Sequence, residues 1–325
     1  MTQPPDSVEN LLVRARSGDV RALTELGKRF LVGEGVPPSS EKGAATLQEA
    51  AARGDGEAAA LLSVCAAWGV AQPRNIDAAL DHLVRAAQLG WDAARRELQL
   101  LARDSGTEPA ALRRRIDVAS WRSAPAGRIA FAKPRIIVLE RFATADECQW
   151  LIGRADGGGL QRAKVYRGSP TAQLAETRTN REMSFTIFNA DVVVSLIRDR
   201  IAAAAGAPVS HFEIAKLLHY SPGEQFALHA DFIEAKTPEL ARELAARGQR
   251  ATTFLIYLND GYEGGATQFP RLSWQYRGGG GDALLFSNVD ANGDPDYDTI
   301  HAGMPPTAGE KWVLSQWVRA RPVGP

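Results

Sequence analysis

Along the first third of the chain, apolar residues recur every three or four positions; beyond residue 134 they change to short runs and alternations. The first pattern predicts helices and the second strands, because side chains return to one helix face every 3.6 residues and to one strand face every second residue. The helical pattern also repeats as a whole. Gly18, Gly54 and Gly90 stand at equal intervals, and each precedes an alanine-rich segment, at residues 21–27, 57–63 and 92–98. Matching segments at 44–53 and 78–89 come before the last two of these glycines. Two helix-length patterns per repeat, with glycine at the turns, predict stacked helical hairpins. The alanines let paired helices approach closely, while Leu26, Leu47, Leu62, Leu83 and Leu98 fill the seam. A last helix is expected over 109–121, then a linker through Pro125-Ala-Gly127.

From Pro134 the elements are short. Ile136-Ile-Val-Leu139 reads as a buried strand, and Thr144 caps a helix running to 152. Further strands are predicted at 213–220, 225–231, 252–258, 283–286 and 311–318. Short strands between glycine-rich turns predict a double-sheet fold of the jelly-roll type. One helix interrupts them: Thr237 is its N-cap, Pro238 its first residue, Leu240 and Leu244 share a face, and Gly248 ends it. The expected organisation is multidomain α + β, with a helical repeat domain at 8–121, a linker at 122–133 and a β domain at 134–325.

Composition narrows the function. The 325 residues carry 38 basic and 38 acidic side chains, so charge gives no case for nucleic acid or an anionic membrane as partner. The two cysteines, Cys65 and Cys148, fall in different predicted domains and make no disulfide framework, which fits a reducing compartment. The opening residues lack the basic-then-apolar pattern of a signal peptide, and no apolar run approaches a membrane span. A cytoplasmic location is expected.

The sharpest chemical pattern is His229-Ala-Asp231 followed by His301. On a strand, positions i and i+2 project to one side, so His229 and Asp231 can hold one ion while Ala230 faces away. A second strand must then supply His301. Two imidazoles and a carboxylate leave coordination positions open, which suits iron(II) better than tetrahedral zinc. Taken alone, such a triplet often arises by chance. Ten residues after His301, the strand beginning at Lys311 places Lys311, Val313, Ser315 and Trp317 on one face. An inward lysine is costly unless it meets an anion, although a lysine reaching out to solvent is the commoner arrangement.

These residues carry a family resemblance. Residues 134–321 resemble the catalytic domain of prolyl 4-hydroxylases and their bacterial 2-oxoglutarate/iron(II) oxygenase relatives. The resemblance runs through Pro134-Arg-Ile-Ile-Val138, Tyr220-Ser-Pro-Gly-Glu-Gln-Phe-Ala-Leu-His-Ala-Asp231, Gly248-Gln-Arg-Ala-Thr-Thr-Phe-Leu-Ile-Tyr-Leu258, Gly264-Gly-Ala-Thr-Gln-Phe-Pro270, Gly281-Asp-Ala-Leu-Leu-Phe286 and 301–317. The repeats resemble Sel1-like repeats, relatives of the tetratricopeptide repeat, in Ala22-Leu-Thr-Glu-Leu-Gly27, Gly33-Glu-Gly-Val36 and Ala50-Ala-Ala-Arg-Gly54.

The resemblance implies a double-stranded β-helix and a dioxygenase using Fe(II), 2-oxoglutarate and O2, with ascorbate as an accessory reductant. It makes His229, Asp231 and His301 the iron ligands and Lys311 the partner of the co-substrate's distal carboxylate, helped by Tyr220 and Thr267. On the substrate side it places Arg250, Glu213, Trp317 and Arg178; for Arg250 and Glu213 an ion pair at the sheet edge is the plain alternative. Phe226 stands where the family often has a tyrosine lining the substrate pocket. The implied activity is hydroxylation of a peptidyl residue, proline foremost, in a protein or peptide docked by the repeats. Two alternatives remain open at this point: the same cofactors acting on another side chain, a peptide natural product or a small molecule, and a non-catalytic interaction module on a vestigial oxygenase fold. Residues 162–183, long and polar, are expected to act as a mobile lid, and the helix at 237–248 could also close over the site.

Overall fold

The computed structural model describes residues 6–164 and 175–323. The chain forms two compact units, Met1–Trp121 with Ile187–Ile197, and Arg122–Thr186 with Arg198–Gly324.

The first unit is a stack of helices: α1 (Val8–Arg16), α2 (Val20–Val32), α3 (Ser40–Ala52), α4 (Gly56–Trp68), α5 (Ile76–Gln88), α6 (Asp92–Ala102), α7 (Pro109–Arg115) and α8 (Val118–Arg122). The starts are chemically marked, since Asp19, Ser39, Asp55 and Asn75 each accept the backbone N–H three residues on. α2 packs on α3, α3 on α4 and α4 on α5, as hairpin stacking requires. The α2–α3 seam needs glycine: a Cβ at Gly27 would lie 2.7 Å from Leu47 Cγ. Leu26, Leu47, Leu62, Leu83 and Leu98 are all buried.

The single helix expected over 109–121 is two. Ile116 adopts an extended backbone, and Asp117 restarts the helix by accepting the Ser120 N–H at 3.1 Å. Another helix, α10 (Val192–Ala205), escaped the sequence reading because Val192-Val-Val194 has the β-branched character of a strand. Its start is secured by acceptors a pattern cannot reveal: Asp191 takes the Val194 N–H, and Glu97 takes those of Val192 and Val193 at 2.7 and 3.2 Å.

The second unit is built of antiparallel strands: β1 (Arg128–Phe131), β2 (Ile136–Leu139), β3 (Gln161–Arg162), β4 (Arg181–Ser184), β5 (Lys216–Tyr220), β6 (Phe226–His229), β7 (Arg250–Tyr257), β8 (Glu263–Gly264), β9 (Thr267–Phe269), β10 (Trp274–Tyr276), β11 (Ala283–Ser287), β12 (His301–Gly303), β13 (Pro306–Ala308) and β14 (Lys311–Arg319). The large sheet runs β1-β2-β11-β7-β14-β5-β4-β3, the smaller one β10-β9-β12-β6, and β13 pairs with β8. This is the double-stranded β-helix. Ile136, Leu218, Leu255, Leu284 and Val313 of the large sheet pack with Phe269 of the small one in a common core. Each such burial stabilises the fold by about 1.5–3 kcal/mol.

Part of the expected linker is a strand. β1 lies within 122–133 and pairs with β2, an alliance its glycine- and proline-flanked composition concealed. α9 (Ala145–Gly153) begins with the predicted Thr144 cap, completed into a reciprocal capping box by Glu147. α11 (Pro238–Arg247) starts from Thr237 and stops at Gly248, as predicted. Of the segment expected to form a lid, residues 165–174 lie outside the described residues. Among the described residues no helix is long and apolar enough to cross a membrane.

Candidate metal and co-substrate site

The register of two short strands assembles the metal site. β12 pairs antiparallel with β6 so that His301 stands directly opposite His229. Asp231, two residues past His229, turns to the same side. One ligand atom from each of the three lies within 4.8 Å of the others. His229 Nε2 is 3.6 Å from Asp231 Oδ1, and His301 Nε2 is 3.7 Å from Oδ2.

Local backbone orients both rings. His229 Nδ1 lies 2.9 Å from the Ala227 carbonyl and His301 Nδ1 3.0 Å from that of Thr299. A carbonyl only accepts, so each Nδ1 carries the proton and each Nε2 presents a lone pair to the ion. Burial, with the nearby His229 ring, pushes the His301 pKa down to about 4, which keeps it neutral and ready to ligate. Burial pushes the Asp231 carboxyl up, but the His301 and His229 rings in their protonated forms, with the Thr253 hydroxyl, outweigh that and hold it well below the usual carboxylate range, so the carboxylate is already anionic when the rings lose their protons. An anionic carboxylate and two neutral imidazoles form the facial donor set of a ferrous site.

Asp231 is also supported from behind. The amide of Asn288 donates to Thr253 Oγ1 at 2.9 Å, and the Thr253 hydroxyl donates to Asp231 Oδ2 at 2.7 Å. The amide donor fixes the direction: the hydroxyl oxygen accepts from Asn288 and so gives its proton to Asp231. Both residues are buried, and the sequence reading found neither.

The co-substrate end lies at the head of β14. Lys311 is only 2% exposed and pairs across the sheet with Tyr220. Its ammonium has aromatic neighbours, 5.1 Å from the Tyr220 ring centre and 5.6 Å from that of Tyr257. No carboxylate of the described residues bears on it, and burial alone pushes its pKa down to about 7. A buried cation left without an anion is costly unless a ligand supplies one. Thr267, held by the Tyr257 hydroxyl at 2.8 Å, and Tyr220, its phenol pushed by burial to about 12 and so neutral, border the same pocket. The donor set and this unpaired lysine fit iron(II) with a dicarboxylate.

The substrate-side residues divide. Arg178 and Trp317 line the pocket; Arg250 and Glu213 do not. Arg250 grips Glu213 through two hydrogen bonds of 2.7 and 2.9 Å, Arg319 donates to the same carboxylate, and the Arg250 guanidinium lies over Trp317, 3.7 Å from its ring centre. Phe226 stacks on the His229 ring at 3.5 Å with an 8° tilt, and the Arg178 guanidinium covers its other face at 4.4 Å. Lys216 also lines the pocket. It was legible in principle, because it alternates with Leu218 and Tyr220 along β5.

The site and fold define the class, a non-haem iron oxygenase with a carboxylate co-substrate, and comparison with known proteins agrees. Residues 215–319 match the 2OG-Fe(II) oxygenase superfamily model. A probable prolyl 4-hydroxylase 9 from Arabidopsis thaliana is 33% identical over 206 residues, covering 58% of this chain and 69% of that protein. The prolyl 4-hydroxylase subunit alpha-1 of Rattus norvegicus is 38% identical over 191 residues; the match takes 58% of this chain but spans only 35% of that subunit. A solved Sel1 repeat protein from Oxalobacter formigenes is 25% identical, covering 33% of this chain and 45% of that one at a TM-score of 0.29. The chain belongs to the 2OG-Fe(II) oxygenase superfamily, in its prolyl 4-hydroxylase branch. It is a 2-oxoglutarate-dependent dioxygenase that uses Fe(II), 2-oxoglutarate and O2.

Proposed function

We propose that the enzyme hydroxylates a peptidyl residue, proline foremost, in a protein or peptide held by its helical repeats. The metal and co-substrate, when bound, supply oxidative decarboxylation and the oxygen atom placed on the substrate. The chain's own groups do the positioning. His229, Asp231 and His301 would hold the ion through one ligand atom each. Lys311, Tyr220 and Thr267 fix the far carboxylate, while Arg178 and Trp317 border the place where the substrate enters. The observation carrying the reading is the buried, anion-free Lys311 in one pocket with the three ligands. The similarity to prolyl 4-hydroxylases supports proline as target. A repeat surface is a common means of holding an extended peptide.

A second reading keeps the cofactors and changes the acceptor to another side chain, a peptide natural product or a small molecule. Phe226 favours it, since a phenyl ring offers the substrate no hydroxyl. The test is conversion of 2-oxoglutarate to succinate with candidate peptides, read together with a mass gain of one oxygen atom on the peptide. Turnover is expected with proline-containing peptides and is lost in His229→Ala and Lys311→Ala. Comparing proteomes of cells carrying the active protein or His229→Ala then identifies the target. Oxygen gained only on non-proline residues or small molecules selects the second reading.

A further inference from the structure

The pocket holds a second lysine to which the co-substrate gives no role. Lys216, Leu218 and Tyr220 line it from β5, facing Lys311, Val313, Ser315 and Trp317 from β14. The register sets Lys311 opposite Tyr220 and Ser315 opposite Lys216. The two lysines therefore mark the two ends of one sheet face, about 14 Å apart along the strands at the usual antiparallel rise. A five-carbon diacid anchored on Lys311 spans roughly half that distance. Lys216 stands beyond its reach.

The charges around Lys216 do not cancel. Its ammonium donates to Glu182 Oε1 at 2.7 Å, while Glu182 Oε2 accepts from Arg178 Nη2 at 2.6 Å. One carboxylate thus serves two cations. Arg250, the other cation bearing on Lys216, shares Glu213 with Arg319, and Arg319 has Glu243 as its second partner, so these two arginines and two glutamates balance among themselves. Lys216 and Glu182 have side chains 19% and 16% exposed, so bulk water screens the leftover charge only partly. Beside them is the Trp317 ring, 5.8 Å from the Lys216 ammonium, a flat wall for a peptide to lie against. A single unmatched positive charge suits a monoanion.

We propose that Lys216, with Arg178, forms a subsite for a carboxylate of the substrate, so that the enzyme selects an acidic residue close to the one it hydroxylates. The inference rests on the peptidyl hydroxylase reading. Its test is a set of peptides identical except for Asp, Asn or Lys at positions flanking the target, assayed for the added oxygen with the full chain. At the favoured position, Asp should exceed Asn about tenfold in kcat/KM, with Lys the poorest. The ratio should collapse in Lys216→Met and invert in Lys216→Glu, a gain for the Lys peptide that no misfolded variant can give. In the unaltered enzyme the same ratio should shrink as salt rises, a check that needs no variant. Equal use of Asp and Asn peptides, or a preference that survives Lys216→Met, overturns the subsite while leaving the hydroxylase reading standing. A panel in which 2-oxoglutarate is consumed but no peptide gains oxygen overturns the peptide reading, and this subsite with it.

Discussion

At the scale of single residues, the site combines three ligands with side chains that hold them in one state. Thr253 is the clearest case. Its hydroxyl is committed to Asp231 by the Asn288 amide, so the carboxylate reaches the ion already aimed. Thr253→Val should weaken Fe(II) binding by about tenfold or more, with Thr253→Ser restoring it, as read by anaerobic metal titration. Lys311 shows the opposite economy, since its burial serves the ligand at the expense of the fold. Its folded pKa of about 7 lies well below the unfolded value near 10.5. A lowered lysine destabilises the native state most where both states are charged, below about pH 7, and the cost fades as pH rises toward the unfolded pKa. Lys311→Met should therefore raise the Tm of the ligand-free protein at pH 7, by the equivalent of a few kcal/mol, with a shrinking gain towards pH 10. The same variant should lose 2-oxoglutarate binding in calorimetry. Unaltered enzyme should bind 2-oxoglutarate less tightly as pH climbs through 7, because the neutral amine no longer meets the carboxylate.

At the scale of elements, close contact and register decide what each segment does. The α2–α3 seam depends on Gly27, where an added methyl group would press on buried Leu47. Gly27→Ala should lower stability by about 1–2 kcal/mol in thermal unfolding, despite alanine's better helix propensity. Register also explains what could be read from the chain. Core strands β5, β7 and β14 are long and apolar enough to declare themselves; β6 is shorter than the strand expected over 225–231 and ends at His229, so Asp231 reaches the site from the bend just beyond it. β9 and β12 have three residues each, too few for any periodicity, and exist because neighbours pair with them. His301 was found through its chemistry and its distance from Lys311, not through its strand. Thr253 and Asn288 stayed hidden because their importance lies in a cross-strand relay between residues 35 apart in sequence. α10 stayed hidden because its N-terminal acceptors include Glu97, 95 residues away from Val192. Arg250 and Glu213, which the family resemblance places on the substrate side, form the ion pair that was the plain alternative for them, with Arg250 against Trp317.

At the scale of the whole molecule, a catalytic unit and a helical repeat unit occur on one chain, and the proposed division of labour has a measurable sign. If the repeats hold the substrate, a full-length protein substrate should show a kcat/KM at least about tenfold above that of a short peptide carrying the same target, with kcat little changed. Equal values for the two would mean that the pocket alone recognises its substrate. The pairing of His301 with His229 has one more consequence. β6 ends the strand order of the smaller sheet, with a short bridge from the segment at Arg178 on its far side, and two of the ion's three ligands sit face to face on β6 and its neighbour β12. An ion bound there is a cross-link as well as a reagent, fastening the outer strand to the body of the barrel. Amide hydrogens of Phe226–His229 should exchange faster when the metal is chelated away, so loss of iron would show itself as a loosened seam before any substrate is offered.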